Sequence, residues 1–255
     1  MTRELLHAGV HVLVEKPMAR TYEECMSMIE ASESSGATLM VGLRRRFVFA
    51  SQWMKRTVAS GALGTIQTFD FQEGRVFDWP IVSDSFWRRE QAGGGVLIDI
   101  GPHVLDQLMW WLGPVKTVRY ADDARGGVEG ECELELELES GARGRVELSR
   151  MRFLRGSAII VGSRGQVEIA LDGNWAERRL PGSRRLPLFP RQSWDDVFPV
   201  ELRNWLDTVV GGAPAVSARD AAATAQLIDT CYAQRSPLTL PWRDLVPGAV
   251  SGGQP

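Results

Sequence analysis

The sequence predicts an α/β chain: a truncated, Rossmann-like doubly wound parallel domain, then an α+β domain with a large, mostly antiparallel sheet. Three observations predict it. Residues 1–43 alternate helix and strand with short connections, the pattern of a right-handed βαβ crossover. Beyond residue 115 strand periodicity takes over, most clearly in "ECELELELE", where polar and apolar residues alternate from Glu131 to Glu139. Two further helices close the chain. The boundary falls at residues 1–45 and 46–255, with the closing helices, 197–235, returning to pack on the first part.

Element by element, "TRELLHAG" reads as the end of a helix closed by Gly9, and "VHVLVE" as a short strand buried on both faces. "TYEECMSMIEASESSG" has a threonine cap, helical apolar spacing and a closing Gly36, and "ATLMVGL" is a second buried strand. "SQWMKRTVASGALG" is a helix with a glycine stop, and "TIQTFDFQEG" a strand. In "IDIGPHVLDQLMWWLG" a helix starting near Gly101 puts Asp99 at its mouth as a cap, His103 in its first turn and Asp106 one turn on. A loop of Ser140, Gly141 and Ala142 joins "ECELELELE" to "GARGRVELSR", setting Glu139 against Arg143, Glu137 against Arg145, and Leu136 against Val146. "SAIIVGSRGQVEIA" is a second hairpin turning at 162–165, and residues 181–196 read as an irregular loop.

Composition narrows the function classes. The chain has 255 residues, 44% hydrophobic and 24% charged, with a net charge of −3, which gives no reason to expect nucleic acid or an anionic membrane as partner. Cys25, Cys132 and Cys231 are odd in number and form no metal-binding spacing, so no metal site is expected and a reducing, cytoplasmic setting is. Glu4 and Glu15 interrupt the region where a signal peptide would be apolar.

Two stretches carry chemistry. Glu15-Lys16-Pro17 follows directly on the first strand, and ligands of open parallel sheets gather beyond the carboxyl ends of strands. The proline stops the strand, and its peptide bond with Lys16 is a candidate for the cis form. "RRRF" at 44–47 lies on the same edge, as a basic patch for an anionic ligand or as a solvated charge run. In the second stretch, "GGGVLIDIGPHVLD", the imidazole of His103 titrates near neutrality and suits proton transfer.

Together "AGVHVLVEKPMA", "MVGLRRRF", "GALGTIQTF", "WRREQAGGGVLIDIGPHVLDQLMWWLG" and "VGSRGQVEI" resemble, in order, the glucose–fructose oxidoreductase, inositol dehydrogenase and rhizopine-catabolism (Gfo/Idh/MocA) family. The resemblance implies NAD(P)-dependent hydride transfer to or from a secondary alcohol or ketone of a sugar, cyclitol or similar polyol. It implies a catalytic set of Lys16, Asp99 and His103: His103 takes the hydroxyl proton, Lys16 steadies alkoxide character, and Asp99 orients the imidazole or binds a hydroxyl. Glu15, Lys16, Pro17 and Arg46 then face the cofactor, and Lys16, Trp87, Arg88, Asp99 and His103 the substrate. Asp106 matches the pattern either as a ligand contact or as a structural carboxylate.

The chain departs from the family at one point. No G-x-G-x-x-G is present, so the glycines that bring a helix N-terminus to a pyrophosphate are not in these 255 residues, and binding of NAD or NADP is in doubt. By the size of βαβ units the absent part is roughly 70–90 residues. The leading expectation is a piece of a full oxidoreductase. The alternatives are a cofactor-free binding or oligomerisation module, or a nucleotide site completed by a partner chain. The expected partners are a small polyol or sugar and a second copy of the chain through the sheet face, although the charged hairpin face is less apolar than an obligate interface prefers.

Overall fold

The computed structural model describes residues 1–78, 80, 83–124, 126–173, 175–179 and 192–239. The first unit runs α1 (Thr2–His7), β1 (Val12–Glu15), α2 (Tyr22–Ser35) and β2 (Leu39–Gly42), with β1 and β2 parallel and Glu15 beside Gly42. Gly9 and Gly36 close the two helices in the left-handed conformation, at φ +77° and +71°. Thr21 caps α2 through the Glu24 N–H. β2 is buried throughout, but β1 is only half-buried and Glu15 is exposed, contrary to the expectation of a strand covered on both faces. Its second edge pairs with no strand among the described residues.

A 3-10 turn (Arg44–Phe47) leads into α3 (Phe49–Ala59) and β3 (Ile66–Gly74); another at Asp84–Trp87 precedes α4 (Arg89–Ala92) and the long α5 (Val96–Leu112). Strands β4 (Val115–Asp122), β5 (Glu131–Leu138), β6 (Arg143–Ser149), β7 (Ser157–Gly162), β8 (Gly165–Ala170) and β9 (Ala176–Arg179) follow, then α6 (Trp194–Val209), α7 (Ala218–Ala233) and β10 (Ser236–Pro237). The sheet order is β10-β4-β5-β6-β3-β7-β8-β9. Five pairings are antiparallel; β10–β4 and β3–β6 are parallel. β3, early in the chain, is thus laid between the two hairpins and seals both.

The first hairpin keeps the expected faces but shifts by two residues: Glu137 pairs with Arg143, Glu135 with Arg145 and Leu134 with Val146. The loop is Glu139, Ser140 and Gly141, closed by the Gly141 N–H on the Leu138 carbonyl, with Gly141 at φ +84°. A three-residue loop of this kind needs its left-handed residue last, which selects Gly141 and sets the register. The second hairpin turns as expected, with Gly162 opposite Gly165. The expected loop at 181–196 lies largely outside the described residues, and its end is already helical: Ser193 caps α6 in a capping box with Asp196, three residues ahead of the expected start.

Two apolar clusters form the interior. The larger joins α3, α5 and part of α7 to one face of the sheet, through Met54, Leu105, Trp111, Phe71, Leu134 and Val146 among others. The smaller holds α1, α2, β2 and Met18 against Val197 of α6 and Ala221 and Ala222 of α7. Helix α7 therefore contributes to both. No described helix is long and apolar enough to cross a membrane.

Between the clusters lies a buried ion pair. Arg46 donates through Nε and Nη2 to both carboxylate oxygens of Asp106, at 2.9 and 2.6 Å, and through Nη1 to Asp220 of α7 at 2.9 Å. Removing one partner of such a pair leaves an uncompensated charge in low dielectric. Asp106→Ala is expected to cost about 3–5 kcal/mol. Urea unfolding of the variant beside the parent chain checks it.

Candidate active site

The site begins where β1 ends. Lys16 follows the last strand residue, and its peptide bond to Pro17 is cis. The side chain reaches across to α5, where Nζ donates to the Asp99 carbonyl at 2.6 Å and to Asp99 Oδ1 at 3.2 Å. Helix geometry helps here. Pro102 sits inside α5, and with no N–H it leaves the Ile98 carbonyl without its helical donor beside the carbonyl that takes the lysine. The second carboxylate oxygen of Asp99 accepts from Arg150, from Nε at 3.1 Å and from Nη2. Asp99 is thus an anion held between two cations from separate segments.

His103 follows on the same helix and is 6% exposed. Its Nδ1 is buried with no hydrogen-bond partner, which leaves Nε2 as the nitrogen available to a ligand. Asp99 does not orient the imidazole; its oxygens are committed to Lys16 and Arg150. Burial, then the positive charges of Arg45, Lys16 and Arg44, push the His103 pKa well below its ordinary 6.5. At neutral pH the ring is uncharged and can accept a proton.

Several expectations change. Helix α5 starts at Val96, not near Gly101, so Asp99 is a first-turn residue and not the cap. The cap is Glu129, from the segment before β5: Oε1 accepts from the Gly95 and Leu97 N–H groups at 2.8 and 3.0 Å, and its carbonyl from Val96. Tyr232 of α7 donates to the same oxygen at 2.7 Å. The glycine run is explained by this clamp. A Cβ at Gly94 would meet the Tyr232 hydroxyl at 1.9 Å, and one at Gly95 the Glu129 carbonyl oxygen at 2.0 Å.

Arg46, expected at the cofactor, is 5% exposed and bound to Asp106 and Asp220, so its guanidinium is not free for a ligand. That pair also gives Asp106 its structural role. Burial raises the Asp106 pKa against the pull of Arg46. Trp87 packs on Phe77 and Phe86, and Arg88 lies 4.0 Å from Asp84. Neither meets Lys16, Asp99 or His103 in a contact among the described residues. Glu15 is exposed and accepts from the Lys16 N–H at 3.2 Å. The residues missed from sequence are Arg150 and Glu129. Each ends or precedes a strand of the large sheet, and only the packing of α5 on that sheet brings them to the site. No group of metal-binding side chains occurs among the described residues.

Two family profiles match in sequence order. The oxidoreductase family with an NAD-binding Rossmann fold covers residues 1–43, and the GFO/IDH/MocA C-terminal domain covers residues 51–168. The chain belongs to the Gfo/Idh/MocA oxidoreductase family. It is similar to D-glucoside 3-dehydrogenase of Escherichia coli K12, 35% identical over 132 residues, which is 50% of this chain and 36% of that enzyme. The chain spans from about a third to about a half of the length of this and two further curated relatives. Among solved structures, aldose-aldose oxidoreductase from Caulobacter crescentus with glycerol superposes with a TM-score of 0.81 at 28% identity, over 91% of this chain and 72% of that one. Levoglucosan dehydrogenase with NADH and levoglucosan has the same fold, with a TM-score of 0.81 at 22% identity, over 91% and 73%.

The buried, neutral His103 has a thermodynamic signature. Its folded pKa lies below 6.5, so between the two values the unfolded chain binds the extra proton. Stability is expected to fall as pH drops through and below 6.5, and His103→Gln to flatten that slope. Urea midpoints across the acid range, with an imidazole NMR titration placing the folded pKa, check both.

Proposed function

We propose that this site transfers hydride between a nicotinamide nucleotide and a secondary alcohol or ketone of a sugar, cyclitol or related polyol. One observation carries the reading: a neutral imidazole with an available Nε2 stands on the same helix as a carboxylate clamped between Lys16 and Arg150, at the carboxyl end of parallel strands. His103 Nε2 takes the hydroxyl proton as the carbon is oxidised, and returns it in reduction. The Lys16 ammonium, fixed by Asp99, steadies the developing alkoxide. Asp99, unable to turn, offers its remaining acceptor capacity to a neighbouring hydroxyl.

The residues present fit the reactive end of the cofactor. Glu15 ends β1 and Lys16 and Pro17 lie just beyond it, where open parallel sheets receive ligands, and the orphaned His103 Nδ1 marks a polar environment short of partners. Bound there, the nicotinamide supplies the hydride acceptor. The glycine-rich cradle for its phosphates is not among the 255 residues. Arg46 leaves the expected cofactor set because its charge is spent on Asp106. The reading carries with it a cytoplasmic setting and pairing of chains through the sheet face; that face carries Asp70, Arg119, Glu135 and Arg145, more charge than the core of an obligate interface holds.

Joined to a dinucleotide-binding half that carries the glycine-rich turn, the chain is expected to form reduced nicotinamide from NAD or NADP with one of a panel of polyols. His103→Gln and Lys16→Met are each expected to lower turnover by about 10²–10⁴ with smaller changes in substrate affinity. Polyol and nicotinamide binding both absent by calorimetry, or turnover unchanged in both variants, would sink the assignment.

A further inference from the structure

The arginine run after β2 divides its labour. Arg45 makes a bidentate pair with Glu73, both bonds at 2.6 Å, and Arg46 is bound to Asp106 and Asp220. Arg44 has no carboxylate partner among the described residues. Its guanidinium lies over the Trp194 ring at 4.6 Å and near the Phe198 ring at 5.5 Å, and its Nε is buried with no hydrogen bond. Stacking fixes the plane of the fork and, among the described residues, leaves its donors without an acceptor, the state of an arginine open to a planar anion.

Its place in the fold says which end of a ligand it meets. Because Glu15 pairs with Gly42, the two strands end side by side, and the chain runs on into Lys16-Pro17 from one and Leu43-Arg44 from the other. Arg44 therefore shares an edge with Lys16, and its charge is felt at His103. Glu201, which follows Trp194 and Phe198 on the same face of α6, is 4% exposed, and its Oε1 has no hydrogen-bond partner. Burial and the nearby Glu15 carboxylate raise its pKa to about 7, so it does not fully offset Arg44 at neutral pH.

We infer that Arg44 receives an anionic group of the substrate, and that the polyol handled at this site is a sugar acid, with its carboxylate on Arg44 and its reacting hydroxyl toward His103. This rests on the polyol-dehydrogenase reading above and adds the substrate class. A dinucleotide phosphate is the other anion in play, but phosphates of such cofactors sit at a glycine-rich helix N-terminus, whereas Arg44 stands at the reacting end.

Calorimetric titration of the 255-residue chain with D-glucuronate and D-gluconate, against D-glucose and myo-inositol at equal ionic strength, tests this without requiring turnover. The acids are expected to bind about 10- to 100-fold more tightly, the worth of a charge-assisted hydrogen-bonded pair. Arg44→Met is expected to abolish the preference, and Arg44→Lys, which keeps the charge without the fork, to retain part of it. Circular dichroism confirms that each variant is folded, and the preference of the parent chain decides the question independently of them. Neutral polyols bound as tightly as the acids would overturn this inference and leave the dehydrogenase reading standing. Binding of neither class would overturn both. If Arg44→Met loses affinity for inorganic pyrophosphate but not for the acids, Arg44 serves a phosphate and the inference fails.

Discussion

Helix α5 is buried along nearly its whole length, and every polar group it carries into the interior needs a partner from another segment. Its first N–H groups take Glu129, Asp99 takes Lys16 and Arg150, and Asp106 takes Arg46. Gln107 bonds Ser51 and Arg45, and the Trp111 N–H bonds the Ser51 carbonyl. An unpaired buried polar group costs about 1–3 kcal/mol, so each of these partners is needed if the helix is to lie where it does. The partners come from β1, the arginine turn, α3, the approach to β5 and the end of β6. Placing this one helix draws most of the molecule into register around it.

His103 is the exception on that helix. Its Nδ1 has no hydrogen-bond partner among the described residues, whereas Asp99, Asp106 and Gln107 on the same helix have theirs, and an orphaned group of this kind persists where the surroundings over-determine it and function uses it. The cost is kept moderate by neutrality, since burial and the surrounding cations exclude the proton. Lys16 and Asp99 show the complementary solution, with charge retained and its position held by a network of opposite charges.

The three arginines after β2 illustrate how much context decides. Adjacent in sequence and alike in type, they become a two-carboxylate lock, a largely buried bidentate pair and a stacked fork with no carboxylate among the described residues. Their shared 3-10 turn points successive side chains about a third of a turn apart, so each meets different chemistry. The family resemblance implies Arg46 at the cofactor, but the buried Asp106 takes its guanidinium, and the depth of that carboxylate does not show in periodicity.

Local chemistry was legible where it is local. The glycine-closed helices, the Thr21 cap, the alternating faces of β5 and β6, and the Gly162–Gly165 turn are all written in spacing and residue type. So were Lys16 at a strand end and His103 on an apolar helix. The two-residue register shift at Gly141 and the early start of α5 were not, because one depends on which loop position takes a positive φ and the other on a cap supplied by Glu129, 34 residues away from Gly95. The short strands β9 and β10 gained their identity from neighbours as well. Sequence by itself determined most of the elements, the family and which residues stand as candidates for the chemistry, since those follow from short-range pattern and motif. Tertiary structure alone decided that Arg150 completes the Asp99 clamp, that Arg46 is structural and that Arg44 meets rings and no carboxylate among the described residues, because charges of either sign find partners only once distant segments are packed side by side.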